Sequence, residues 1–321
     1  MTVDARSLAG SRHAIGALAV TAGLLAWSVA QRPDIAVSLL VLGAAFTSLE
    51  RWRPLRRQRS ALRRTGAMTD AVSYVVNEVL GGLGLAVVLV VAVPVLRLGV
   101  PPVLVRGLSG LPGWARWLTA LALSEVCGYW GHRLSHEIPW LWRLHRVHHS
   151  APQLDWLAPS RRHPLDAVVA RTSTALPALV LGLGVPTVVT WFALKRLQGL
   201  ITHANVDLRC GPLERIVVTP FFHHWHHSAA PGTWNTNYAG SLPAVDWLFG
   251  TLWLPDRWPE EYGCDGDVPD TGYVARCLSP WRRSSMPGHL PSKAACSLRA
   301  LAANPAYTSS EVHSTDEARA S

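Results

Sequence analysis

Long apolar runs alternate along this chain with short segments that carry arginine or histidine. Ala14 to Ala30 and Ile35 to Leu49 are two such runs, parted only by a Gln-Arg-Pro-Asp break. A signal peptide would not be followed so closely by a second run. The pair therefore predicts a helical hairpin that stays in the membrane, turning at Arg32 and Pro33. A third run, about Val79 to Leu98, is rich in Val, Leu and Gly. A Pro/Gly-rich connector, Gly99 to Gly113, follows, and from Trp114 the chain returns through Leu118 to Tyr129. Ala167 to Leu194 is apolar again but broken at Pro177 and at Gly182 to Pro186. Each half is short for a full crossing, so a kinked or re-entrant hairpin returning to the same side is expected. No strand pattern is present. The reading is an all-α membrane protein with about four transmembrane helices plus that hairpin. A cytoplasmic helical cap, including the Trp-rich stretch Asn205 to Pro259, carries the polar chemistry.

Composition agrees with a bilayer as solvent. The chain is 49% hydrophobic and only 16% charged, yet its net charge is +9. Seven arginines lie between Arg51 and Arg64, directly after an apolar run. Arginine there places the loop on the cytoplasmic side, and the N-terminus with it. The charge is thereby explained without nucleic acid. Glu125 inside an apolar run is costly in lipid and is expected to face the protein interior. The five cysteines form no CxxC pair and read as free thiols in a reducing compartment. Three segments follow: 1–64, the N-terminal hairpin and Arg-rich loop; 65–262, the domain that carries the histidine clusters; and 263–321, a tail expected to be disordered toward its end.

The histidines change the picture most. Eleven of the 14 fall between His132 and His227. His132 and His136, four residues apart, share one helix face. His145, His148 and His149 form a triangle on one face, and His223, His226 and His227 repeat it as HHWHH. Neutral imidazole suits Zn, Cu, Fe and Ni, so spacing leaves the metal open. Eight ligands exceed a closed zinc site of four, and two metals sharing the set is the simpler account. Lone His13, His289 and His313 read as ordinary polar residues. His136-Glu137 begins like HExxH, but Trp140 stands where the second histidine belongs.

The order HRLSH, HRVHH, HHWHH on a multi-span chain resembles the fatty acid hydroxylase/sterol desaturase superfamily. The resemblance runs from about Glu50 to Tyr262. It includes RRHPLD (Arg161 to Asp166), HAN (His203 to Asn205), TPFFHHWHHS, NYAG (Asn237 to Gly240) and DWLFGT (Asp246 to Thr251). It implies an integral-membrane di-iron enzyme that uses O2 to hydroxylate or desaturate a lipid. The implied iron ligands are His132, His136, His145, His148, His149, His203, His223, His226 and His227. His163 is a further possible ligand or supporting donor, and Asp166 and Asp246 are expected to orient imidazoles. No catalytic residue is implied beyond the ligands. No flavin, haem or iron–sulfur motif is present, so electrons are expected from an external NAD(P)H-linked redox partner. The Arg-rich loop offers a docking face for it. The implied substrate is an apolar lipid from the bilayer: a sterol, fatty-acyl or ether lipid. The competing reading from another class is a membrane metal-binding or metal-transport protein, which would spread ionisable residues along the spans. An intramembrane zinc hydrolase is disfavoured by the missing HExxH.

Overall fold

The computed structural model describes residues 5–264 and 268–282, with side chains described from residue 16 onward. Eleven α-helices make up these residues, with two isolated β-bridges and no strand among them. The N-terminal hairpin is α1 (Ala5–Gln31) and α2 (Pro33–Trp52). Pro33 opens α2 where its missing N–H costs nothing, and Asp34 sits in the first turn. The third apolar run becomes α3 (Ala67–Arg97), longer than the pattern alone indicates and with Pro94 inside it.

The connector after α3 is not bare loop, since it holds a short helix, α4 (Pro102–Ser109). The return run is α5 (Gly113–Glu137), followed at once by α6 (Pro139–His149). Between them Ile138 is extended (φ −93°, ψ 120°), the conformation that a following proline imposes. That single residue turns the chain so that histidines of α5 and α6 face each other. The broken apolar run forms α7 (Pro164–Val180) and α8 (Val185–His203), joined by a turn in which Gly182 and Gly184 take positive φ. The two halves return the chain, so His203 ends beside α6. Two short helices close the cap, α9 (Pro220–His226) and α10 (Ala244–Leu248). Thr219 caps α9 by accepting the Phe222 N–H, with Pro220 at the first position.

α7 is the packing centre, seated against both α3 and α5. Glycine lets α5 come close: a Cβ on Gly131 would lie 2.5 Å from the Ser173 Cβ. α2 and α3 are each long and apolar enough to cross a membrane. On α3, Val87, Val90, Val91 and Val95 point outward with no protein cover. A contiguous exposed surface of this kind belongs in lipid, not water.

Packing also continues past Tyr262. Helix α11 (Tyr273–Leu278) buries Tyr273 and Arg276 against the start of α3. Arg276 pairs with buried Asp70, which Arg64 reaches at 2.6 Å, and Arg64 meets Asp155 at 2.5 Å. Residues 268–282 are thus part of the folded body. The disorder expected further along the tail lies outside the described residues.

Candidate metal centre

Nine histidines converge in two groups whose ring nitrogens lie within 4.8 Å of one another. The first holds His132, His136, His145, His149 and His226; the second holds His148, His203, His223 and His227. α5 supplies two, α6 three, α8 one and the α9 turn three. All are buried except His132, which is half-buried. The helical spacings account for the split. On α6 the adjacent His148 and His149 point about 100° apart, so one helix feeds both groups.

Each ring is aimed by what its far nitrogen touches. His132 Nδ1 donates to the Tyr238 carbonyl (2.8 Å) and His226 Nδ1 to the Thr236 carbonyl (2.8 Å). His203 Nδ1 donates to the Gly199 carbonyl (2.7 Å), and His145 Nδ1 to Asp166 Oδ1 (3.0 Å). A carbonyl or carboxylate can only accept, so each of these Nδ1 atoms carries a proton and the Nε2 is the nitrogen turned to the site. The consequence is sharpest for His132 and His145, whose Nε2 atoms face each other at 3.2 Å. Two ring nitrogens brought this close, with both Nδ1 atoms engaged elsewhere, are placed where one cation can accept both. His136 Nε2 is buried without a hydrogen-bond partner. Burial also holds His149, His223 and His227 well below the usual imidazole range and pushes His226 down to about 3, so these rings are neutral. Neutral, converging, cation-seeking nitrogens are a donor set that fits metal.

The surrounding loop is built to hold those acceptors in place. Asn237, in the left-handed region (φ 57°), lies between the two carbonyls that orient His226 and His132. Its side chain donates to the carbonyls of Phe222 (3.0 Å) and Trp253 (2.8 Å) and accepts from the Trp253 N–H (2.7 Å). Asp246 touches no imidazole. It accepts the N–H groups of Tyr238 and Ala239, each at 2.7 Å, and the Thr251 hydroxyl at 2.6 Å. Asp166 does reach an imidazole, and Arg162 Nε sits 2.9 Å from its other oxygen. Burial opposes its ionisation, but His145 and Arg162 hold the carboxyl below its ordinary range.

His163 lies outside both groups. Its Nδ1 accepts the Leu165 N–H (3.1 Å) at the head of α7, and its Nε2 donates to the Cys277 carbonyl (3.1 Å). His224 is likewise apart, with Nε2 on the Ala204 carbonyl (3.2 Å) and Nδ1 on the Tyr262 hydroxyl (2.7 Å).

Residues 117–251 match the family model for fatty acid hydroxylase. Over those residues the chain is similar to the fatty acid hydroxylase family. Over 164 residues it is 37% identical to the ornithine lipid hydroxylase OlsE of Rhizobium tropici, covering 51% of this chain and 49% of the relative. It is 31% identical over 172 residues to the alkylglycerol monooxygenase of Xenopus tropicalis, covering 52% and 38% respectively. A very-long-chain aldehyde decarbonylase of Oryza sativa subsp. indica is 29% identical over 171 residues, covering 50% and 64%. The chain therefore spans about half the length of the first of these relatives and less of the second. No solved structure matches it significantly.

The histidines open onto a cavity of about 770 Å³. Its walls are apolar toward Leu85 and Leu89 of α3 and Val188 and Phe192 of α8. Five of the nine histidines line its other end. Glu125 is buried on its wall, with Oε1 taking Lys195 Nζ at 2.9 Å. Its Oε2 accepts the Ser241 N–H at 2.8 Å.

Proposed function

We propose that this chain is a membrane-bound oxygenase that hydroxylates, or desaturates, a C–H bond of a lipid with O2. The observation that carries it is the cavity whose apolar walls lead to two groups of closely gathered, largely buried histidines. Two iron ions held by His132, His136, His145, His149 and His226 and by His148, His203, His223 and His227 would supply O2 reduction and hydrogen abstraction. Hydroxylation consumes the C–H bond, O2, two electrons and two protons, and yields an alcohol and water. Desaturation removes two hydrogens instead and yields an alkene and two waters. The electrons come from an external NAD(P)H-linked protein.

The chain's own residues hold and orient. The carbonyls of Thr236, Tyr238 and Gly199 and the Asp166 carboxylate keep ring protons on Nδ1, leaving Nε2 free for metal. The apolar walls exclude water from the reacting carbon. Four spans (α1, α2, α3 and α5) and the α7–α8 hairpin set the histidines at the cytoplasmic membrane face. The arginines of residues 51–64 keep that side inward and offer Arg51, Arg59 and Arg63 around an open 550 Å³ cavity as a landing face for an acidic electron carrier. The relatives named for ornithine lipid and alkylglycerol support a lipid substrate.

A metal transporter fits less well, because its ligands would be spread along the spans rather than gathered at one level. Metal analysis of the purified chain, with lipid profiling of cells that express it, tests the proposal. Two irons per chain and a lipid gaining one oxygen, or losing two hydrogens, are expected. A single zinc, or unchanged lipids in aerated cells, would overturn it.

A further inference from the structure

Between the apolar walls and the histidines the cavity has a charged tier whose charges do not cancel. Three lining cations each have a carboxylate of their own: Arg32 with Asp34 (2.7 Å), Arg162 with Asp166 (2.9 Å) and Lys195 with Glu125 (2.9 Å). Arg171 and Arg196 share one. Arg171 Nη2 lies 2.7 Å from Glu78 Oε1 and Arg196 Nη1 lies 2.9 Å from Glu78 Oε2. All three side chains are mostly buried, at 22%, 27% and 30% exposure for Arg171, Arg196 and Glu78. Arg196 Nη2 is buried with no hydrogen-bond acceptor among the described residues. The guanidinium carbon sits 4.2 Å from the centre of the Tyr74 ring, a cation–π contact that uses none of its N–H donors. One uncompensated positive charge in an apolar cavity is costly unless an anion answers it.

The tier's position says which part of a ligand that anion belongs to. On α8, Arg196 and His203 are seven residues apart, hence on one face with about 10 Å of rise between them. Val188 and Phe192 precede Arg196 on the side away from the histidines. On α3, Leu85 and Leu89 lie about 10 and 16 Å beyond Glu78 in the same direction. The order is therefore histidines, charge, hydrocarbon.

Building on the oxygenase reading, we infer that the cavity takes an acidic amphiphile head first. The lipid's single negative charge, carboxylate or phosphate, sits on Arg171 and Arg196, and its tail runs between α3 and α8. Oxygen is then delivered to the polar end of the lipid, within about 10 Å of its charge, and not to the tail terminus. A neutral sterol leaves the arginine pair unanswered.

Binding tests this without turnover. The full chain in detergent, without O2 or reductant, is titrated with pyrene-labelled dodecanoic acid and with its methyl ester at pH 8. The acid is expected to bind about tenfold tighter than the ester, as a hydrogen bond between charged groups warrants. Arg196→Gln and Arg171→Gln should each remove most of that preference, while Glu78→Gln should widen it, because it takes away the competing carboxylate. The opposite signs separate ligand binding from a merely structural role, which would make all three substitutions weaken the acid alike. Equal binding of acid and ester by the unmodified chain, or an acid weakened by Glu78→Gln, overturns the inference; neither needs an arginine variant to fold. Displacement of the acid by inorganic phosphate alone in large excess would reassign the site to a free anion and overturn the lipid. Preserved acid preference with no O2-dependent product would sink the oxygenase reading and leave the binding site standing. In an active preparation, fragmentation mass spectrometry should place the new oxygen in the head-proximal fragment, and oxygen on the tail terminus would refute the orientation.

Discussion

Asp166→Asn separates the two metal groups, because Asp166 touches only one of them. Its Oδ1 takes the His145 Nδ1 proton at 3.0 Å, and His145 belongs to the five-histidine group. The four histidines of the other group share no contact with this carboxylate. An amide still accepts one hydrogen bond, but it loses the charge that makes the imidazole a stronger ligand and that pairs with Arg162 at 2.9 Å. Arg162 is 28% exposed and reaches water, so its stranded charge adds little further penalty. Carboxylates behind a ligating histidine are typically worth tenfold to a hundredfold in metal affinity, or about 1.4–2.8 kcal/mol. Titrating iron out of the purified variant with a graded chelator should therefore give two phases. One moves by that factor toward weaker binding, and the other coincides with the unmodified chain. The thermal midpoint of the metal-free protein should shift little, which separates tuning from misfolding. Two phases that move together, or neither moving, would refute both the division into two groups and the role given to Asp166.

Other perturbations read different parts of the same construction. His148→Ala removes a ligand from the four-histidine group, and iron should fall from two to one per chain with loss of O2-dependent turnover; retained activity would count against the assignment. Gly131→Ala drives a methyl against Ser173, one residue before His132. Overpacking at this helix crossing should cost about 1–3 kcal/mol, seen as a lower thermal midpoint, and an unchanged midpoint would show that α5 and α7 can part. The pH dependence has a definite sign, because burial lowers the folded-state pKa of these imidazoles below the ordinary 6.5. A neutral buried histidine contributes its stability fully above pH 6.5 and loses it as pH falls toward the folded value. For His226, held at about 3, the loss at pH 5 is about 2 kcal/mol. The metal-free chain should thus unfold progressively more easily below pH 6.5 in denaturant titrations, and a flat profile from pH 8 to 5 would contradict the burial.

The histidines were legible because their spacing is local. Three and four residues on a helix are neighbours on one face, and no tertiary knowledge is needed to see that His145, His148 and His149 form a unit. The return at Gly182 to Pro186 was legible for the same reason, since proline and glycine act on their own residues. Helix α4 was not, because Pro101, Pro102 and the flanking glycines read as connector while proline at a first turn also starts helices. Helix α11 was missed because what orders it is Asp70, 206 residues away. Glu78, Arg171 and Arg196 lie far apart along the sequence, and Arg196 stands beside another cation, Lys195. Their meaning is a sum over three helices, one anion against two cations, and no window along the sequence contains it.

The acceptors behind the histidines are hidden more deeply. Three of the four are backbone carbonyls, which every residue has, so no side chain marks them. What the sequence does carry is the apparatus that fixes those carbonyls: Asn237 in a left-handed conformation and Asp246 under the next two N–H groups. NYAG and DWLFGT therefore stand near the histidines in the chain without contributing a ligand. They set which nitrogen of His132 and His226 holds the proton, and so decide which nitrogens are turned to the place where one cation can accept both. A site of this kind is specified twice, once by side chains that can bind metal and again by a backbone that denies them any other partner.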